Sequence, residues 1–244
     1  MGETGAAVII GVGPEQGLGA ALARRFAAEG LHVYLAGRSE EKLHRVASSI
    51  RQTGGSATAV VADATHEAEV EHLFSVVGDT GQGVEIAAYN VDSNIPSLLL
   101  ETDAETFSLL WRQNCLGAFF FGKAVVRAMQ PRSRGTLFFT GATASLRAKP
   151  PFTAFATAKA GLRALAQGMA REFSPQGIHV VHAVIDGVIN GERARNQFPD
   201  YVKAKGEGGL LELEAIAETY WAMHRQHPSA WTHELDLRPY KEPF

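Results

Sequence analysis

The stretch AAVIIGVGPEQGLG, Ala6 to Gly19, decides the fold. Ala6 to Ile10 is an apolar run too short for a helix and bounded by Gly5 and Gly11, so it reads as a strand buried on both faces. Behind it, Leu18, Leu22 and Phe26 fall at helical spacing, Arg24 and Arg25 face away, and Gly30 closes the run. In a strand-turn-helix of this kind Gly13 allows a tight turn, Gly17 lets the backbone approach a pyrophosphate, and Gly19 lets helix and strand pack closely. The helix N-terminus then faces the anion. Glycine-rich turns also join strands to helices for purely structural reasons, but a strand before and a helix after favour dinucleotide binding.

Outward from this unit the same alternation continues. Strands are expected at His32 to Ala36, Ala57 to Ala62, Val84 to Tyr89, Thr136 to Thr140, Ile178 to Ile185 and Trp231 to Leu237. Between them lie a helix behind Ser39 with Leu43, Val46, Ala47 and Ile50 on one face, and another carrying Val70, Leu73, Phe74 and Val77. Asp103 opens one long helix running towards Pro131, and further helices are expected near 152–173 and 211–226. Seven strands joined by helix-length crossovers predict an α/β fold, a Rossmann-type, doubly wound, mostly parallel sheet with helices on both faces. No linker or repeat interrupts the 244 residues, which read as one dinucleotide-binding domain, 1–244. Ligands of such sheets sit at the carboxyl ends of the strands.

Composition narrows the function. Twenty-six acidic against 23 basic side chains give a net charge of −3, so no electrostatic field favours nucleic acid. No apolar run approaches the ~18 residues of a membrane span, and the N-terminus lacks a targeting pattern, so a cytoplasmic protein is expected. The one cysteine, Cys115, has no companions for a disulfide or a metal site and reads as a small buried hydrophobe. No metal is expected. After the second strand stands Arg38, where an acid would bind a ribose 2′-hydroxyl and a guanidinium suits a 2′-phosphate. This predicts NADP(H) over NAD(H), the alternative being a solvated arginine at a helix start.

The glycine spacing from Val12 to Gly19, Asp63 after the third strand, Asn90 after the fourth, Asn114 in the long helix and Lys159 together resemble the short-chain dehydrogenase/reductase family, over nearly the whole chain. Val12 stands where the family opens with threonine. The resemblance implies cofactor contacts from Gly13, Gly17, Leu18, Gly19, Arg38, Asp63 with the neighbouring Ala64, Asn90, Lys159, Gly187 and Ile189. It also implies a homodimer or homotetramer.

The family's active site is a relay of Asn, Ser, Tyr and Lys, in which Tyr four residues before Lys moves the proton. The sequence reads Phe155-Ala-Thr-Ala-Lys159, and a benzene ring has no proton to transfer. The serine position is Ala142. Thr143 is one residue away and a candidate to bind the carbonyl, with Thr140 and Ser145 less suited. The usual Asn-Asn-Ala-Gly reads Tyr89-Asn90-Val91-Asp92, the usual Pro-Gly reads Asp186-Gly187, and Gly191 stands for a threonine. Asp92 and Asp186 are thus acids at ligand-facing strand ends. Either can replace the tyrosine in proton transfer if burial raises its pKa, although an aspartate there is also an ordinary turn residue. Lys159 reads as a ribose-binding lysine, or as a solvated helix lysine, and Asn114 as a relay member or a local helix distortion.

The polar segment 190–210 is expected to be a mobile substrate lid. Phe152, Phe155 and Phe198 suggest an apolar pocket. Tyr220, Trp221, Met223 and the end from Trp231 to Phe244 suggest a subunit interface. The leading expectation is an NADP(H)-dependent oxidoreductase acting on a small carbonyl compound or secondary alcohol. A binding protein that senses NADP(H), or a non-catalytic subunit, is the alternative favoured by Phe155 and Ala142. A lyase or isomerase rests only on Asp92 and Asp186.

Overall fold

A computed structural model describes residues 5–242. In chain order it contains β1 (Ala6–Ile10), α1 (Leu18–Ala28), β2 (His32–Gly37), α2 (Glu40–Gln52), β3 (Ser56–Val61), α3 (Glu67–Gly78), β4 (Val84–Tyr89), α4 (Ala104–Trp111) and α5 (Gly117–Met129). There follow β5 (Gly135–Ala142), α6 (Thr153–Phe173), β6 (Ile178–Ile185), α7 (Glu192–Gln197), α8 (Pro199–Lys205), α9 (Leu213–His224) and β7 (Glu234–Leu237). The strands form one parallel sheet in the order β3-β2-β1-β4-β5-β6-β7, the doubly wound Rossmann-type arrangement. Its strand order reverses between β1 and β4, and in sheets of this kind the crevice lies outside the carboxyl ends of the strands at that point.

The period-two geometry of β1 divides its residues between two cores. Ala7 and Ile9 join the layer formed with α1, α2 and α9, including Phe26, Leu43 and Ile216. Ala6, Val8 and Ile10 join the layer formed with α3, α5 and α6, including Leu73, Phe121 and Leu162. A strand apolar on both sides has no solvent face, and all five β1 residues are buried.

Four expectations are corrected. The helix opened by Asp103 is not continuous: a π-helical turn, Arg112–Leu116, separates α4 from α5. Asn114 Nδ2 donates to the Leu110 carbonyl at 3.0 Å, and the Tyr89 phenol donates to the Gln113 carbonyl at 2.6 Å, so side chains take acceptors that a regular helix would use itself. The last strand starts at Glu234 rather than Trp231. Trp231 instead stacks on His179 with ring centroids 4.7 Å apart, and Thr232 pairs through its N–H with Gln226. Segment 190–210 is mostly helical and not a bare loop, since α7 and α8 occupy 192–197 and 199–205, with Pro199 starting the second and Gly206 at φ +64° ending it. Finally, Tyr220 is fully buried in the core, so its side chain lies at no surface, while Trp221 and Met223 are partly buried against the same core. Pro243 and Phe244, also expected there, lie outside the described residues. Among the described residues no helix is long and apolar enough to cross a membrane.

Candidate active site

The glycine-rich turn lies at the crevice. Its left-handed residue is Gly11, at φ +93°, and not Gly13, which corrects the reading of the bend. A Cβ on Gly11 would lie 2.5 Å from the Asn90 backbone. A Cβ on Gly13 would meet nothing within 4 Å, leaving open space above the turn, whereas one on Gly19 would crowd the Gly11 carbonyl and Val12 Cα at 3.0 Å. Leu18 is buried in the core. The N-cap of α1 is Gly17, without a side-chain cap, and no acid stands in the first turn. Its backbone N–H groups and positive dipole end are therefore available to an anion, and the turn fits a dinucleotide pyrophosphate.

On the β2 side of this turn, Arg38 is exposed and makes no ion pair with any described residue. Asp63, after β3, accepts from the Thr65 N–H at 2.9 Å and the Thr65 hydroxyl at 2.8 Å, and Ala64 behind it is buried. Asn90 ties three strand ends together. Its amide donates to the Gly11 carbonyl at 3.2 Å and its oxygen accepts from the Thr140 hydroxyl at 3.2 Å, while that hydroxyl accepts from Tyr220 at 3.0 Å.

Across the crevice, Lys159 on α6 is 1% exposed. Its ammonium donates to the Thr140 carbonyl at 3.1 Å, pairs with Asp92 Oδ1 at 3.2 Å, and lies 5.6 Å from the centroid of the Phe155 ring one turn earlier. Phe155 packs with Leu110, Ala154 and Phe152, while Phe198 lies half exposed on the lid side. Asn114 is buried, and its two amide protons go to the Ser93 and Leu110 carbonyls. Its side-chain oxygen is buried without a hydrogen-bond partner. Cys115 beside it is buried, which pushes its thiol up.

Asp186 does not meet the condition for a proton donor. Burial alone would raise its carboxyl, but the Thr143 hydroxyl at 2.5 Å and the guanidinium groups of Arg147 and Arg238 hold it below the usual carboxylate range. The same bond occupies the single hydroxyl proton of Thr143, which therefore points to Asp186 and not into an open carbonyl site. Gly187 has no room for a side chain, as a Cβ would lie 2.7 Å from Pro239. Ile189 bridges to Leu211 and packs on the core.

Segment 190–210 begins directly over the glycine turn. The Glu192 N–H donates to the Gln16 carbonyl at 2.8 Å, and a Cβ on Gly191 would lie 3.0 Å from that oxygen. Arg193 reaches back to Asp92 Oδ2 at 3.1 Å and to Asn94, so α7 is clasped across the crevice. This clasp is half exposed and worth about 1 kcal/mol at most. Arg193→Ala is expected to speed hydrogen exchange over 192–205 by about fivefold with little change in melting temperature. Unchanged exchange would show that Arg193 does not restrain this segment.

Arg147, Arg193 and Arg238 were not legible as site residues. They act on acids 39, 101 and 52 positions away, and no local spacing encodes such pairs.

Comparison with known proteins bears on the family and the fold. The short chain dehydrogenase family model matches residues 6–201. A crystal structure of a short-chain dehydrogenase from Rhodopseudomonas palustris is 37% identical, with a TM-score of 0.82 over 97% of this chain and 99% of that one. The 3beta-hydroxysteroid dehydrogenase 1 of Eggerthella lenta is 30% identical over 194 residues, covering 79% of this chain and 74% of the relative. Actinorhodin polyketide ketoreductase, solved with NADPH, shares the fold at a TM-score of 0.88 and 20% identity, over 99% of this chain and 98% of that one. With its Rossmann-type sheet and a family match spanning most of its length, the chain belongs to the short-chain dehydrogenases, a family of oxidoreductases.

Proposed function

We propose that the protein binds NADP(H) in preference to NAD(H) and transfers hydride between it and a small carbonyl compound or secondary alcohol. The observation that carries this reading is the uncapped N-terminus of α1 behind an open glycine turn, with exposed Arg38 one strand away. The bound cofactor supplies the hydride. Gly13, Gly17, Gly19 and the first N–H groups of α1 hold the pyrophosphate, Arg38 the 2′-phosphate, and Asp63 and Ala64 the adenine. Asn90 fixes the strand ends beneath them, and Lys159, with Asp92 set against it, serves the distal ribose. The ketoreductase solved with NADPH supports the choice of a nicotinamide cofactor.

A second reading, an NADP(H)-binding sensor or non-catalytic subunit, is favoured by Phe155, which places a ring without a proton beside Lys159. The lyase or isomerase reading loses the support of Asp186, whose carboxyl is held ionised.

Fluorescence titration separates these readings. NADPH is expected to bind about 10- to 100-fold tighter than NADH, the worth of a charge-assisted hydrogen-bond pair, and Arg38→Glu is expected to remove that preference. Equal affinity for both nucleotides would overturn the role of Arg38. A single-turnover screen of carbonyl compounds then distinguishes a slow enzyme, which oxidises NADPH, from a sensor, which binds it without turnover.

A further inference from the structure

Asp92 follows β4, on the opposite side of β1 from Arg38. A dinucleotide whose pyrophosphate lies over α1 and whose adenosine lies towards β2 and β3 must place its other ribose on the β4 side. The ionic group facing that position is a pair. Lys159 is 1% exposed, whereas the Asp92 side chain is 36% exposed, so the buried ammonium meets the crevice through this carboxylate.

The donor and acceptor count of the pair is specific. The Lys159 ammonium spends its donors inward, on the Thr140 carbonyl and on Asp92, and at 1% exposure it presents no open N–H to the crevice. A carboxylate has about four acceptor positions. One on Oδ1 faces Lys159 and one on Oδ2 faces Arg193, with the others remaining. Remaining lone pairs on both oxygens of the half-exposed carboxylate complement a vicinal diol, whose two hydroxyls each donate to one of them. A phenol at position 155 would have offered such an oxygen, and Phe155 offers none.

We infer that Asp92, held in place by Lys159, grips the hydroxyl pair of the nicotinamide ribose, so that the carboxylate after β4 supplies the polar contact that Phe155 lacks. This rests on the dinucleotide reading above. Asp92 is then a cofactor-binding residue in its own right, oriented by Arg193 from the lid, and not only the counter-charge of a buried lysine.

Three ligands test it by calorimetry, without turnover: 2′,5′-ADP, which lacks the second ribose; 2′-phospho-ADP-ribose, which has it but lacks nicotinamide; and NADPH. With Asp92→Asn and Asp92→Gly, binding of the last two is expected to weaken about 10- to 100-fold. Binding of 2′,5′-ADP is expected to hold within about twofold, which also reports that the variants are folded. Equal weakening of all three would reduce Asp92 to a structural counter-charge and overturn the inference. So would no weakening of any, or weakening of NADPH alone, which would move the contact to the nicotinamide ring. A parent protein that binds none of the three would overturn the dinucleotide reading, and this inference with it.

Discussion

Phe155→Tyr is expected to raise carbonyl reduction by about 10²- to 10⁴-fold, the usual contribution of a positioned general acid. The substitution adds a hydroxyl to a ring whose centroid already lies 5.6 Å from Lys159 Nζ. The two residues share one face of α6, one turn apart. An ammonium at that range favours the phenolate and so brings the phenol pKa towards working pH. NADPH affinity serves as the control, because the glycine turn and Arg38 are untouched. A single-turnover assay with matched NADPH saturation reads the result. A large rise from an inactive parent would identify a cofactor-binding protein whose missing activity traces to the absent oxygen at position 155. No rise, with NADPH still bound, would show that proton delivery does not run through position 155.

The second large effect is loss of stability in acid. His182 on β6 is fully buried, and its Nδ1 lies 2.9 Å from Glu234 on β7. Burial outweighs that attraction and lowers the imidazole from 6.5 to about 4. Glu234 is lowered from 4.5 to about 2, first by the two hydrogen bonds from Arg163 at 2.6 and 2.7 Å and then by His182. For His182 the unfolded chain takes up a proton between pH 6.5 and 4 while the folded chain does not, so stability falls as pH falls through that window. For Glu234 stability is present above pH 4.5 and is lost as pH falls towards 2. Each gap corresponds to about 3 kcal/mol. His32, His179 and His224 are lowered by burial in the same direction. Urea denaturation is therefore expected to show a loss of several kcal/mol between pH 7 and pH 4, with a shallower slope in His182→Asn. An equally steep slope in that variant would assign the loss to other groups.

Strand positions were legible because a buried parallel strand needs only a short apolar run between breakers. Ala6 to Ile10, Val84 to Tyr89 and Ile178 to Ile185 match the structure residue for residue. The interruption after Trp111 was legible only as one of two readings of Asn114, a local helix distortion, since Arg112, Gln113, Cys115 and Leu116 carry no helix breaker. The cause is tertiary, in the Tyr89 phenol and the Ser93 carbonyl. Asp92 and Asp186 looked alike in sequence, each an acid just past a strand. Only the fold sets Asp186 beneath Arg147, Arg238 and Thr143, and leaves Asp92 facing the crevice on Lys159.

The π-helical turn at Arg112–Leu116 is a phase shifter. An α-helix rotates about 100° per residue, so one surplus residue in a wide turn rotates everything beyond it by about that angle. α5 thereby aims Ala118, Phe121, Val125 and Met129 at the sheet, while α4 buries only Leu110, the residue that packs on Phe155. A single deletion between Arg112 and Leu116 would leave composition and hydrophobicity nearly unchanged, yet the two halves could no longer both face correctly. In related chains, a one-residue gap at this point is therefore a rotation of the wall beside Phe155, and an ungapped alignment through it means that both chains share one angular setting.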